Sequence, residues 1–335
     1  MNQYRKPHRL QKGDTVGIVS PSSTIAPFPR RLQRGIEALE AIGLRVILAP
    51  HCQGAFGHNG GTAQERADDI NTFFANPNIQ GIVCSTGGYT ANAVLPLLDY
   101  ELIRSNPKIF CGYSDITALN LAITYKAKIV TFNGPTVLPV FGDFGGPHAF
   151  TVRNFEKALF SNQPIGILEN ADTTSEENLW WDKDDTRPRA ATPAEPPKAL
   201  HPGSAEGVLL GGNLETLTFL GGTEFMPDFT DSILFLEEMG EGTDVIERDM
   251  DHLQQLGILG KIKGLIFGRP YDLSTVSTDR TLDDILQGIG EHFQIPVLTN
   301  VDCGHCVPML TMPLGIRTKL DADTLTVTIT EPATV

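Results

Sequence analysis

The run Ile109-Phe110-Cys111-Gly112-Tyr113-Ser114-Asp115-Ile116-Thr117-Ala118-Leu119 holds a buried strand, a tight turn and the start of a helix. Its three leading apolar residues predict the strand, and Ile116 to Tyr125 reads as the helix. A serine between the two sits on a sharp turn with its hydroxyl exposed. The first N–H groups of the new helix lack intrahelical partners and point at whatever that hydroxyl meets. This is the physical content of a nucleophile elbow. The Gly-x-Ser-x-Gly form is only half present, because Ile116 stands where the second glycine would be. A helix-capping serine fits the same residues, so Ser114 has two readings at this point.

On either side of this run, strand-like and helix-like segments alternate. Val16 to Ser20 is an apolar run ended by Pro21-Ser22-Ser23, and Leu32, Ile36, Leu39 and Ile42 then recur at helical spacing until Gly43. Val46 to Leu48 reads as a strand, and Thr62-Ala63-Gln64-Glu65 is a capping box opening a helix toward Phe74. Ile82-Val83-Cys84 is the next strand, followed by a helical segment from Ala91 to Leu98. Such repeats imply a parallel sheet covered on both faces, with ligands at the carboxyl ends of its strands. The expectation is an α/β chain whose N-terminal domain (1–168) is Rossmann- or flavodoxin-like. Residues 169–206 break the pattern with five prolines, many charges and both tryptophans, Trp180 and Trp181. A loop of this length is a lid or a linker. The two large apolar rings favour a lid, the alternative being a linker anchored on a domain surface. The C-terminal part (207–335) reads as a mixed α/β domain. It has strands at Ile233–Leu236, Leu265–Phe267 and Val297–Val301, helices around Ile246–Leu256 and Leu282–Ile289, and a last strand in which Leu325, Val327 and Ile329 alternate with threonines.

Composition narrows the function. A length of 335 residues favours two domains over one core. A net charge of −14 supplies no broad cationic face, which argues against a nucleic-acid polymer as partner. No apolar run approaches the roughly 18 residues of a membrane helix, and the polar opening Met1-Asn2-Gln3-Tyr4-Arg5 gives no signal-peptide pattern. Five spread cysteines suit a reducing cytoplasm.

Three further groups could carry chemistry. Ser85-Thr86-Gly87-Gly88-Tyr89 ends a strand. The N–H groups of Gly87 and Gly88 could hold an oxyanion together with that of Asp115, or the pair could be a plain structural turn. The Gly-x-Gly-x-x-Gly and P-loop spacings are missing, which leaves a dinucleotide-dependent oxidoreductase without its fingerprint. In Asp302-Cys303-Gly304-His305-Cys306 the string suggests a thiol redox site or zinc. However, Pro308 and Pro313 follow, too little chain remains for a thioredoxin-like domain, and no second Cys/His pair completes four ligands. His305 reads better as a loop residue facing a cleft. No metal and no cofactor is called for. Glu237-Glu238 ends an apolar strand, where alternation turns one carboxylate inward, able to fix a histidine's tautomer, and the other to water.

These elements occur in an order that resembles the serine LD-carboxypeptidase family, and within it the microcin C immunity proteins more than the muropeptide carboxypeptidases. The resemblance runs from Gly13-Asp14-Thr15-Val16-Gly17 to Pro308-Met309-Leu310-Thr311-Met312-Pro313-Leu314-Gly315. It is most specific from Leu98-Asp99-Tyr100 through Asn106-Pro107-Lys108 into Gly112-Tyr113-Ser114-Asp115-Ile116-Thr117. The resemblance implies Ser114 as nucleophile, the first carboxylate of Leu234-Phe235-Leu236-Glu237-Glu238 as the acid, and His305 as the base. The active site then lies in the interdomain cleft. Thr131-Phe132-Asn133-Gly134-Pro135, Gly211-Gly212-Asn213-Leu214-Glu215 and the tryptophan-bearing insert point to the immunity branch. There a tryptophan stacks on a nucleobase; Trp181 is the match and Trp180 the alternative, with Tyr89 and Asn213 as further substrate-binding residues. The partners implied are a small peptide or peptidyl-nucleotide and a second copy of the chain, a homodimer. The alternatives are trimming of a terminal D-alanine from muropeptides, and a non-catalytic cleft-binding protein. Cys303 and Cys306 have no assigned family role.

Overall fold

The computed structural model describes residues 4–274 and 279–335; the first three residues of the polar N-terminal opening lie outside it. Two sheets organise the chain. In the first, the strands Arg45–Leu48, Thr15–Val19, Gly81–Cys84, Ile109–Gly112 and Thr131–Asn133 lie side by side and parallel. The middle strands are buried along their whole length, as a parallel sheet covered on both faces requires. The second sheet has a parallel centre of Ser204–Asn213, Ser232–Glu237, Gly264–Gly268 and Val297–Val301. Antiparallel strands complete both of its sides. The architecture is the expected α/β pair, a parallel-sheet unit and a mixed one.

Three segments reach across the sequence boundaries drawn above. Met312–Leu314 leaves the C-terminal part to pair antiparallel with Thr131–Asn133 in the first sheet. Gly166–Ile167 and Lys198–His201 add the two edge strands of the second sheet. The insert is therefore anchored at its far end by backbone hydrogen bonds. Between these, Thr173–Thr174 and Thr192–Pro193 form a two-stranded ribbon.

Local chemistry explains most elements. The helix Ala63–Ala75 opens on the full capping box, with the Thr62 hydroxyl accepting from Glu65 N at 3.2 Å and the Glu65 carboxylate accepting from Thr62 N at 2.8 Å. The helix Pro29–Ala41 starts on a proline, whose missing N–H costs nothing there. The helical segment expected after Gly88 is a 3-10 helix, Ala91–Leu97, and Pro96 inside it cannot donate to an α-helical ladder. One expectation needs correcting: Leu325 is a left-handed turn residue with φ 57°, so the last strand starts at Thr326.

The strand directions place the site. Carboxyl ends of the first sheet lead into Ser20–Ser23, Ser85–Gly88 and Ser114, and those of the second end at Asn213, Glu237 and, after Val301, His305. Both sets face a cavity of about 430 Å³ lined by Gly87, Gly88, Ser114, Trp181, Asn213 and His305, among others.

Candidate active site

Ser114 stands at the turn between the strand Ile109–Gly112 and a 3-10 turn that runs into the helix Thr117–Ala122. Its φ of 65° places a non-glycine residue in the left-handed region, a conformation that costs about 1–3 kcal/mol and must be held by its surroundings. Its hydroxyl does not cap the helix. The partner of Ser114 Oγ is His305 Nε2, at 3.1 Å. On the ring's other side, His305 Nδ1 lies 2.7 Å from Glu237 Oε2, and the same oxygen accepts from His305 N at 3.1 Å. A carboxylate on Nδ1 fixes the tautomer that leaves Nε2 to accept a proton from Ser114.

Glu237 is fully buried at the end of its strand. It reaches His305 because Gly304, at φ 91°, has no side chain. A Cβ there would lie 2.3 Å from Glu237 Cγ and Oε2. Burial by itself lowers the pKa of His305, but the charge and hydrogen bond of Glu237 outweigh it, and the ring's pKa is raised above 6.5. The Tyr113 ring packs edge-on against the imidazole with centroids 4.9 Å apart, a neighbour that sequence reasoning missed although it precedes Ser114 directly.

Glu238 turns the other way, as strand alternation requires, yet not to water. Its Oε1 accepts from Asn213 Nδ2 at 3.0 Å and Met239 N at 2.9 Å, and its Oε2 accepts from Glu215 N at 3.0 Å. Burial, reinforced by the charge of Glu237, pushes it up to about 7. Asn213 is held twice over, since its Oδ1 accepts from Thr216 N and caps the helix Leu214–Thr218.

Gly87 packs directly on the serine; a Cβ there would lie 2.7 Å from Ser114 Cβ and 3.3 Å from Asp115 N. Among the described residues, no acceptor engages the N–H groups of Gly87 and Gly88. Asp115 is fixed by its side chain, which accepts from Ser22 Oγ at 2.5 Å and Ala91 N at 2.8 Å. Gly87 and the Asp115 N–H therefore lie beside Ser114, while Gly88 packs against Ser22 and Ser23.

The insert closes the cavity from one side. Asp182 accepts from the N–H groups of Arg30 and Arg31 at 2.8 and 2.9 Å, so the insert caps the helix Pro29–Ala41. Trp181 then packs edge-on against Phe28, with the Arg31 guanidinium 5.1 Å from its ring, and lines the cavity. Trp180, the alternative tryptophan, is 70% exposed and does not line the cavity. Tyr89 is on the rim at 84% exposure. Arg189 and Tyr271 also line the cavity and were not foreseen. Tyr271 follows the strand Gly264–Gly268, so the carboxyl-end rule could have found it, whereas Arg189 sits in the aperiodic insert. Cys303 and Cys306 are buried thiols with pKa values pushed well above 9 by burial, which does not suit a redox pair. Among the described residues no group of three or more metal-ligating side chains is assembled.

Family models describe the same two units. The LD-carboxypeptidase N-terminal domain matches residues 16–134 and the LD-carboxypeptidase C-terminal domain matches residues 206–320. The chain is 33% identical to the microcin C7 self-immunity protein MccF of Escherichia coli, over 96% of this chain and 94% of that protein. It is 31% identical to a probable murein peptide carboxypeptidase of Bacillus subtilis, over 94% of this chain and 91% of that one. The solved structure of MccF in complex with aspartyl sulfamoyl adenosine superposes with a TM-score of 0.92 at 32% identity, covering 98% of this chain and 99% of that one. With both domain models matched in order and the fold shared end to end, the chain belongs to the LD-carboxypeptidase family.

Proposed function

We propose that this protein is a serine hydrolase of amide bonds in which Ser114 attacks, His305 carries the proton and Glu237 holds the imidazole. The observation that carries this reading is the unbroken relay from Glu237 Oε2 through His305 to Ser114 Oγ, at 2.7 and 3.1 Å, on a strained serine that lines a cavity. A binding protein has no use for that strain and that relay together. As Ser114 Oγ bonds to the carbonyl carbon, its proton passes to His305 Nε2. The developing oxyanion meets the N–H groups of Gly87 or Gly88 and Asp115. His305 then protonates the departing nitrogen, and water, deprotonated by the same ring, releases the acyl group from Ser114. The direct test is a serine-directed covalent probe followed by peptide mapping. The expected result is a single adduct on Ser114, and protein that stays unlabelled while it turns substrate over would overturn the reading.

For the substrate, the proposal is an aminoacyl- or peptidyl-nucleotide, cleaved at the amide that joins its acyl and nucleotide parts. Its support is Trp181, a half-buried ring held on the cavity wall by Phe28 and Arg31, and the likeness to MccF. Trp181→Ala is expected to raise KM for a nucleotide-bearing substrate by about tenfold, in line with the roughly 1–3 kcal/mol of one base–aromatic stack. The same change should leave KM for a muropeptide nearly unmoved; equal losses on both would count against base stacking. Removal of a terminal D-alanine from muropeptides is the second reading, favoured by the near-equal identity to a murein peptide carboxypeptidase. No helix among the described residues is long and apolar enough to cross a membrane. A homodimer is proposed on the family resemblance, and a cytoplasmic location on the five spread, free cysteines.

A further inference from the structure

The cavity is acidic except at one point. Asp115, Glu215, Glu238 and Glu241 line it, and among the described lining residues Arg189 is the only lysine or arginine. Arg189 belongs to a cluster in which three guanidiniums share two carboxylates. Arg31 pairs with Asp143 at 2.7 Å and Asp185 at 2.8 Å, Arg34 pairs with Asp185, and Arg189 Nε pairs with Asp143 Oδ2 at 2.9 Å. One positive charge is left over. Arg31 is wholly buried and also spends donors on the Leu138 and Pro139 carbonyls. Of the three, Arg189 alone faces the cavity.

Arg189 also has donors to spare. A guanidinium carries five N–H groups. Nε–H goes to Asp143 and one Nη1–H to the Glu177 carbonyl at 2.7 Å. The Tyr271 phenol is buried on the same wall, close enough to the guanidinium for Arg189 to offset part of the rise that burial gives its pKa. Tyr113 lines the same cavity and packs edge-on against the His305 ring. A guanidinium with adjacent phenol hydroxyls matches an oxyanion in charge and donor geometry. Elsewhere on the wall the carboxylates repel one.

We propose that Arg189, with Tyr271 and Tyr113, forms an anion subsite that receives an oxyanion carried by the substrate beside the scissile amide. The inference rests on the hydrolase reading above and names a group that its substrate must carry. Two sources share this chemistry: the terminal carboxylate of a peptide whose last residue is released, and the phosphoryl or sulfamoyl oxygens of an aminoacyl-nucleotide. In either case the lid delivers the cation, so lid docking and substrate recognition use the same arginine.

The test compares a peptide bearing a free terminal carboxylate with the same peptide as its terminal carboxamide. The parent protein is expected to favour the acid at least about tenfold in kcat/KM, the scale of a hydrogen bond to a charged group. In Arg189→Gln, and more mildly in Tyr271→Phe, that ratio should collapse toward one, through loss on the acid. Equal losses on acid and carboxamide would mean that Arg189 only fastens the lid, and a parent with no preference would equally overturn the proposal. Titration of aspartyl sulfamoyl adenosine into Ser114→Ala, with and without Arg189→Gln, reads binding without turnover. Weaker binding in the double variant extends the subsite to nucleotide oxyanions. An effect confined to the peptide assigns it to the terminal carboxylate, and no effect in either assay removes it. Because titration needs no catalysis, a failure of the serine mechanism would leave this arm standing.

Discussion

Ser114→Ala is expected to lower turnover on the order of 10⁶-fold while the protein remains folded, the loss seen when a nucleophile that acts as part of a unit is removed. The expected stability change is small. The deleted hydroxyl has one hydrogen bond, to His305, worth about 1 kcal/mol net, and alanine must occupy the same left-handed backbone that serine does. Ser114→Gly separates the two roles of this position. It removes the hydroxyl, so it should be as inactive as alanine. Glycine also tolerates φ 65° freely, so it should unfold at a higher temperature than the alanine variant, by an amount reflecting about 1 kcal/mol of relieved strain. Steady-state kinetics with thermal unfolding on the three proteins checks both parts. Substantial activity in either variant would transfer the chemistry to another group, and a glycine variant no more stable than alanine would show that the turn is not strained.

Legibility in the sequence followed the range of the interactions concerned. The parallel units announced themselves because the middle strands are buried on both faces and the helices carry an apolar face, so the periodicity is printed locally; the Thr62 capping box is equally local. The strands Met312–Leu314, Gly166–Ile167 and Lys198–His201 were not legible as sheet members. They are short edge strands whose pairing is set by the partner sheet rather than by their own pattern. Ser114 was visible as a serine on a turn, but nothing local distinguished a cap from an elbow. The distinction is a hydrogen bond spanning 191 residues. Glu238 was expected to be a solvated neighbour of Glu237. It is buried instead, because Asn213, Glu215 and Met239 supply donors that its own strand could not reveal. Arg189 was hidden for a different reason. An arginine among prolines carries no periodicity, and its significance comes from the charges of Asp143 and Arg31, far away in sequence.

The adjacent carboxylates give the second large effect. Glu237→Gln is expected to reduce kcat by about 10⁴-fold, the loss found when an amide replaces the carboxylate behind a catalytic histidine. The reason lies at Nδ1. An amide of the same shape can present its NH₂ there, which stabilises the tautomer with the proton on Nε2 and leaves that nitrogen unable to accept from Ser114. Glu238→Gln should cost far less, since Glu238 touches neither His305 nor Ser114 and acts only by holding Asn213 and the Glu215 and Met239 backbone. The pH profile separates the two further. In the parent, kcat/KM should fall as the pH drops through the His305 pKa, because the imidazolium cannot take the serine's proton, and that midpoint should lie above 6.5. Removing the charge of Glu237 leaves burial as the dominant influence on His305, and burial favours the neutral ring. The acid limb of the residual activity should therefore move to lower pH in Glu237→Gln. Glu238 is also a nearby negative charge that raises the His305 pKa, though by less than Glu237 does, so Glu238→Gln should shift the limb in the same direction by less. A larger loss of rate or a larger shift in Glu238→Gln would reverse the assignment and make the second carboxylate the partner of the histidine.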